Sequence, residues 1–227
     1  MKIFTYIKND SNRINKKNFQ LIGDLELWKH LIYELNELGS EIYIDTDSSN
    51  VIEDCRVDPK LSNVTAYPRK EEYIKIENDP NNSLSPANLM LENFLDTYVT
   101  DEDETIVLTH VTSPFLKKET IENVIEKYET GQFEYIHSVN KEKDFGFLER
   151  FENPINFNPN VIQRTQDLKP IYFSNGAFFV MTKRIFKKNK NRWGPSVYFY
   201  PLDAIEGVEI DYPEDLKLAK IIYGGMR

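Results

Sequence analysis

The 227-residue chain has one cysteine, three histidines and no surplus of positive charge. Each shortage removes a class of chemistry. A single thiol, Cys55, can neither close an internal disulfide nor furnish a multi-cysteine zinc site, which fits a reducing cytoplasm. No HExxH, CxxC or Ser–His–Asp order is present, and three scattered histidines argue against a zinc centre. With 37 acidic against 28 basic residues the formal net charge is −9, which argues against sequence-independent binding to nucleic acid or to an anionic membrane. It leaves room for a local basic pocket that takes a phosphorylated ligand. No apolar run reaches the roughly 18 residues of a membrane helix. The opening MKIFTYIKND carries charge within its ten residues, so no secretory leader is expected. The expectation is a cytoplasmic protein with one core, for which 40% apolar residues suffice.

What is present alternates between short apolar runs and amphipathic stretches. Lys2–Ile7 reads as a buried strand, and a polar, basic loop follows to Asn18. Leu27, Trp28, Leu31, Leu35 and Leu38 recur at helical spacing, with Gly39 as the stop. Glu41–Ile44 reads as a second strand, DTDSSN as a loop entering a short helix, and the polar residues 60–83, with Pro68 and Pro80, as a surface excursion. Leu91, Phe94, Leu95 and Tyr98 mark another helix, TIVLT at Thr105–Thr109 a strand, and Ile121, Val124, Ile125 and Tyr128 a helix face ended by Gly131. Strands are expected again at Ala177–Met181 and Val197–Tyr200, and a last helix at Pro213–Tyr223 with proline in its first turn. Such alternation predicts an α/β protein, its mostly parallel sheet covered by helices on both faces. Ligands of such sheets sit beyond the carboxyl ends of the strands, which places the loops 8–18, 45–49 and 110–116 on one edge. The regularity breaks from about 145 to 170, which reads as an inserted arm within a single domain spanning 1–227.

Three segments on or near that edge carry candidate chemistry. KNDSNRINKKN places Lys8, Arg13, Lys16 and Lys17 within ten residues of an otherwise acidic chain. It contains no glycine, so it is neither a Walker loop nor a dinucleotide fingerprint. Two readings stand: a polyphosphate site using the basic side chains and loop N–H groups, or a solvated basic loop. EGVEIDYPEDL sets Glu209 and Asp211 at i and i+2 on an extended segment, so both carboxylates project to one side. The pair suits a divalent cation shared with substrate phosphates, and equally an acidic helix N-terminus in which Glu214 and Asp215 complement the macrodipole. THVTSPFL ends a strand and offers Thr112 and Ser113 hydroxyls; its His110 is the most site-like histidine, with a core role equally open. His30 and His137 read as structural.

Taken together, these segments resemble the acylneuraminate cytidylyltransferase family, the CMP-sialic acid synthetases. The family's opening loop, approximately PARGGSKRIPGKN, aligns without a gap on YIKNDSNRINKKN and keeps Ser11, Arg13, Ile14, Lys17 and Asn18. QPTSPLR is similar to HVTSPFL, RRQDLPPxYxxNGAxY to QRTQDLKPIYFSNGAFF, and IDIDTPEDxxxA to VEIDYPEDLKLA. Four motifs in order across nearly the whole chain are more specific than any one of them.

The resemblance implies a Rossmann-like nucleotidyltransferase fold and an enzyme that moves CMP from CTP to an acidic sugar with release of pyrophosphate. It implies nucleotide contacts from Lys8, Asn9, Ser11, Arg13, Lys17, Asn18, Arg69 and Ser85, with Lys17 and Asp211 as the catalytic pair. It further implies Mg²⁺ on Glu209 and Asp211, and a sugar pocket from His110, Tyr172, Asn175 and Phe179. The arm at 145–170 would make a homodimer, with Arg164 reaching toward the partner's site. Departures from the motifs fall at Lys8 for arginine, Asn9 and Asp10 for glycine, His110 for glutamine, Leu116 for arginine and Glu209 for aspartate. They keep two alternatives open: a phosphorylated or non-sugar acceptor, and a non-catalytic nucleotide-sugar-binding relative.

Overall fold

A computed structural model describes residues 1–82, 84–149, 154–161 and 163–226. Its first half is a run of strand–helix units. β1 (Lys2–Ile7) is followed by the loop 8–20 and a short hairpin, β2 (Leu21–Ile22) and β3 (Leu25–Glu26), which leads into α1 (Leu27–Asn36). β4 (Glu41–Thr46), α2 (Ser49–Val57), β5 (Val64–Pro68), α3 (Glu71–Asn78), α4 (Ala87–Tyr98), β6 (Thr105–Thr109) and α5 (Lys118–Glu129) follow in turn. The second half holds β7 (Tyr135–Glu142), β8 (Ile171–Thr182), α6 (Lys183–Asn189), β9 (Val197–Pro201) and α7 (Pro213–Gly225).

Seven of these strands make one sheet in the order β5-β4-β1-β6-β8-β7-β9. β8 runs antiparallel to both its neighbours, and the remaining pairings are parallel. The mostly parallel sheet is thus the fold the alternating pattern predicts. Central strands read as continuous apolar runs because both faces are covered. On one face α1 and α5 bring Trp28, Leu31, Leu35, Ile121 and Val124 against Ile3, Ile42 and Val107. On the other, α4 brings Met90, Leu91, Phe94 and Leu95 against Phe4, Ile106 and Leu108. Among the described residues no helix is long and apolar enough to cross a membrane.

The stretch 60–83 departs from the expected surface excursion. It contains β5, paired to β4 from Val64 to Pro68, and α3. Both are covered on one side only, β5 as an edge strand and α3 with Tyr73 as its buried residue, so neither shows a continuous apolar run. Proline ends the edge strand where a ladder donor is dispensable. The segment between β7 and β8, where the arm is expected, is anchored by a bridge between Phe147 and Pro154. Asn156 ties it down, donating to the carbonyls of Asp144 and Lys169 and accepting from the Gly146 N–H. Residues 150–153 and 162 of the expected arm lie outside the described residues.

Candidate active site

The parallel strands β1, β4 and β6 end at one edge, and the loops leaving β1 and β6 meet the segment before α7. Lys17 lies in a single 3-10 turn, Lys17–Phe19, entered through Lys16 in left-handed conformation at φ 47°. That turn aims the largely buried Lys17 ammonium at the Ile210 carbonyl, 2.9 Å away, and at Asp211 Oδ1, 3.0 Å away. Arg13 reaches the same oxygen at 2.7 Å, its guanidinium 5.0 Å from the centre of the Tyr212 ring. Two cations therefore share one carboxylate oxygen across 194 to 198 residues of sequence.

Asp211 is held there by its surroundings. Ile210, fully buried among Ile14, Phe115 and Leu216, donates its N–H to the Thr112 carbonyl at 2.8 Å. Asp215 accepts from the N–H groups of Asp211 and Tyr212 and closes a capping box on α7. From the other side Asn175 donates to Asn140, and Asn140 to the Gly207 carbonyl, so β8 and β7 fix the loop that carries Glu209.

Lys8, Ser11, Arg13, Lys17, Asn18, His110, Glu209 and Asp211 line one cleft of about 280 Å³, joined by Tyr6, Glu77 and Thr112. Asn18 donates to the Lys8 carbonyl at 2.8 Å, while its own Oδ1 is buried without a partner. Lys8 is only partly buried, and no carboxylate among the described residues pairs with it. The cleft thus sets a cationic wall of Lys8, Arg13 and Lys17 against Glu209 and Asp211, while its third acid, Glu77, is paired with Arg69. Burial pushes the Glu209 carboxyl up to about 7, helped by the neighbouring Asp211 charge.

Whether a metal suits the acidic pair follows from its chemistry. No group of three or more His, Cys, Asp or Glu side chains converges among the described residues, so no all-protein cage exists there. Two carboxylates on an open cleft are hard-oxygen donors of the kind that Mg²⁺ supplements with water and phosphate oxygens. The donor set fits.

His110 sits at the end of β6 with Nε2 3.0 Å from the Tyr6 hydroxyl. Burial, aided by the Arg192 charge, drives it down to about 3, so it is neutral at physiological pH. Its Nδ1 faces Gly176, where φ is +68° and a Cβ would stand 3.0 Å from that nitrogen and 3.2 Å from Glu209 Oε1. The glycine of SNGA is required twice there, by its backbone angle and by close approach. The β7–β8 register shifts between His137 and Val139, opposite this point.

The remaining residues expected at the site are not among those that line this cleft. Asn9 braces the loop, its N–H donating to Asp47 at 2.6 Å and its side chain to Asp10. The Arg69 guanidinium is buried and given over to protein partners: Asp45 at 2.6 Å, Glu77 at 2.5 Å, and the carbonyls of Ile7 and Asp45. Ser85 is exposed ahead of α4 and accepts from the Ala87 N–H. Phe179 is buried beneath His110, with ring centres 5.9 Å apart, and Tyr172 is exposed and stacked on Phe199. Arg164 pairs locally with Asp167 at 2.7 Å. Tyr6 and Glu77 went unanticipated: Tyr6 alternates out of an apolar strand, and Glu77 belongs to a helix read as loop.

His137 lies behind Phe179 and gives a test of this packing. Its Nε2 is 2.9 Å from the Arg192 carbonyl, which can only accept, so Nε2 carries the proton and the buried Nδ1 is left without a partner. Burial lowers its pKa to about 4. A base depressed in the fold contributes stability above its unfolded value near 6.5, and that stability is lost as pH falls toward 4. Unfolding free energies from urea titrations between pH 7.5 and 4 are expected to fall across that window, by up to about 3 kcal/mol for this group. The fall is expected to be shallower in His137→Gln, which keeps a donor but does not titrate. An identical profile in the variant would contradict the assignment.

Comparison with known proteins identifies the family and the fold. Residues 8–222 match the model of a family described as cytidylyltransferase. An N-acylneuraminate cytidylyltransferase of Streptococcus agalactiae serotype III (strain NEM316) is 24% identical over 218 residues, covering 92% of this chain and 49% of that protein. The chain thus spans about half the length of the curated relatives it matches. Among solved structures, a CMP:2-keto-3-deoxy-manno-octonic acid synthetase complexed with CTP superposes with a TM-score of 0.66 at 10% identity, covering 99% of this chain and 98% of the other. A 4-diphosphocytidyl-2C-methyl-D-erythritol synthase gives a TM-score of 0.64 at 9% identity, covering 97% and 98%.

Proposed function

The chain belongs to the cytidylyltransferase family, and on that premise we propose that it transfers CMP from CTP to a hydroxyl of an acidic, sialic-type sugar. The observation that carries this reading is the meeting, in one cleft, of Lys8, Arg13 and Lys17 with the Glu209–Asp211 pair. The acceptor oxygen bonds to the α-phosphorus, the bond from that phosphorus to the oxygen of the β-phosphate breaks, pyrophosphate leaves, and the hydroxyl proton is released. Such chemistry asks the protein for positioning and charge neutralisation. Lys8 and the N–H groups of the glycine-free loop 8–18 take the triphosphate. Lys17 and Arg13, already turned toward Asp211, stand where charge builds on the leaving oxygens. Glu209 and Asp211 would hold Mg²⁺, which neutralises phosphate charge when bound. Neutral His110, supported by Tyr6, faces the acceptor side. A second copy of the chain is proposed to pack on the segment between β7 and β8, where Phe147, Leu148 and Ile155 are exposed.

Pyrophosphate release from each of the four nucleoside triphosphates, with Mg²⁺ and a panel of nonulosonic acids, tests the reading. Release confined to CTP and one acid supports it; release with another base or a non-sugar acid replaces it. Lys17→Ala is expected to weaken CTP binding by about 1.5–3 kcal/mol, the scale of a hydrogen bond to a charged group. Wild-type CTP affinity by titration calorimetry in that variant would remove the loop from the nucleotide site.

A further inference from the structure

Arg192 follows α6 and precedes the aromatic residue Trp193. Every other described arginine has a carboxylate within 2.9 Å: Arg13 has Asp211, Arg56 has Glu53, Arg69 has Asp45, Arg164 has Asp167 and Arg184 has Asp103. For Arg192 no carboxylate lies within ion-pair reach among the described residues, in a chain whose acids outnumber its bases by 37 to 28. Its Nε is buried and has no hydrogen-bond partner. Its Cζ lies 5.2 Å from the centre of the Phe179 ring, the ring that on another side meets His110 at 5.9 Å. Trp193 and His137 close the same box, 5.2 and 4.9 Å from Phe179 between ring centres. The His137 imidazole, donating to the Arg192 carbonyl at 2.9 Å, fixes the backbone from which the side chain springs.

A guanidinium stacked on an aromatic face keeps its planar edge of N–H donors free. Leaving a buried donor unmade costs free energy, and a fork of parallel N–H groups matches a carboxylate or phosphate in two bonds. We propose that Arg192 is the anion-recognition residue of the acceptor site, binding a carboxylate or phosphate of the acceptor beside the Phe179 ring on which His110 also packs. This rests on the cytidylyltransferase reading, and it names the part of the acceptor that the chain selects for. Phe179 orients the guanidinium, and Lys8, Arg13 and Lys17 are left to the nucleotide, so the two anionic substrates are held by separate cations.

The test is calorimetric titration of the wild-type protein, Arg192→Met and Arg192→Lys in the presence of CDP. N-acetylneuraminate, its neutral methyl ester and glucose 6-phosphate serve as probes. Methionine keeps the apolar stem and removes only the charged fork. The expected result is about 10- to 100-fold weaker binding of one anionic probe to Arg192→Met, the range of a charge-assisted hydrogen bond, with partial recovery in the lysine variant. The methyl ester should bind all three proteins within about twofold if the lost contact is electrostatic. Loss for the acid identifies a carboxylate subsite, and loss for the sugar phosphate identifies a phosphate subsite. CDP affinity unchanged in the variants shows that the fold and nucleotide site are intact. Equal affinity of wild type and Arg192→Met for both anions, or no binding of either, with CDP bound normally, overturns the proposal. Failure of CDP and CTP to bind the wild-type protein overturns the cytidylyltransferase reading instead, and the anion titrations without nucleotide then decide Arg192 separately.

Discussion

Asp211→Asn is expected to lower kcat for pyrophosphate release by on the order of 10²–10³-fold, the loss that follows removal of one group that stabilises transition-state charge. The same substitution should leave CTP affinity within about threefold of wild type and leave the unfolding midpoint nearly unchanged. That split follows from the geometry. In the cleft one carboxylate oxygen of Asp211 accepts from Arg13 at 2.7 Å and from Lys17 at 3.0 Å. Those cations are therefore poised but occupied, and neutralising Asp211 frees them for phosphate. Ground-state nucleotide binding loses the acid and gains two cations no longer paired with a carboxylate, so it changes little. Turnover has no such offset, because neither cation replaces an anionic oxygen donor beside Glu209. The fold survives because the Asp211 backbone is held independently of its carboxylate, through Asp215 and the neighbouring Ile210–Thr112 bond. Steady-state kinetics with CTP calorimetry and a urea melt on the same preparation give all three readouts. Wild-type kcat in Asp211→Asn would take the residue out of the catalytic machinery.

How much of this arrangement is visible in the amino-acid order depends on how each part is stabilised. β1 and β6 are legible because burial on both faces writes an unbroken apolar run, as in KIFTYI and TIVLT. α5 is legible because its buried Ile121, Val124 and Tyr128 recur at helical spacing. β5 and α3 are not, because an edge strand and a helix with one buried residue leave too weak a period. Glu209 and Asp211 stand out as an i, i+2 pair, and the basic loop stands out by charge contrast. Their meeting does not, since contacts spanning more than 190 residues leave no mark on local spacing. Arg192 carries no periodic or compositional signal at all. What distinguishes it is the carboxylate it lacks and the ring it stacks on, and both are properties of the folded chain.

Arg69, which the resemblance places among the nucleotide contacts, supplies the largest expected stability effect. Its side chain and that of Asp45 are fully buried against each other. Burial holds the Asp45 carboxyl above its usual range in spite of the guanidinium 2.6 Å away, so desolvation outweighs the attraction for that group. Arg69→Met therefore strands a buried acid, and a loss of about 3–5 kcal/mol in urea unfolding is expected. Adding Asp45→Leu removes the stranded charge as well, and the double variant should regain at least about half of that loss, because a buried pair replaced by apolar groups is often neutral or better. Recovery should be incomplete, since Arg69 also donates to the Ile7 carbonyl and pairs with Glu77. Those two bonds run toward the cleft: Ile7 is the last residue of β1 before the loop 8–20, and Glu77 lines the cleft. Arg69 is accordingly a positioning residue, and the double variant should bind CTP more weakly than wild type even where its stability is restored. A CTP-binding defect in Arg69→Met with an unchanged urea midpoint would reverse the assignment, returning the guanidinium to the nucleotide.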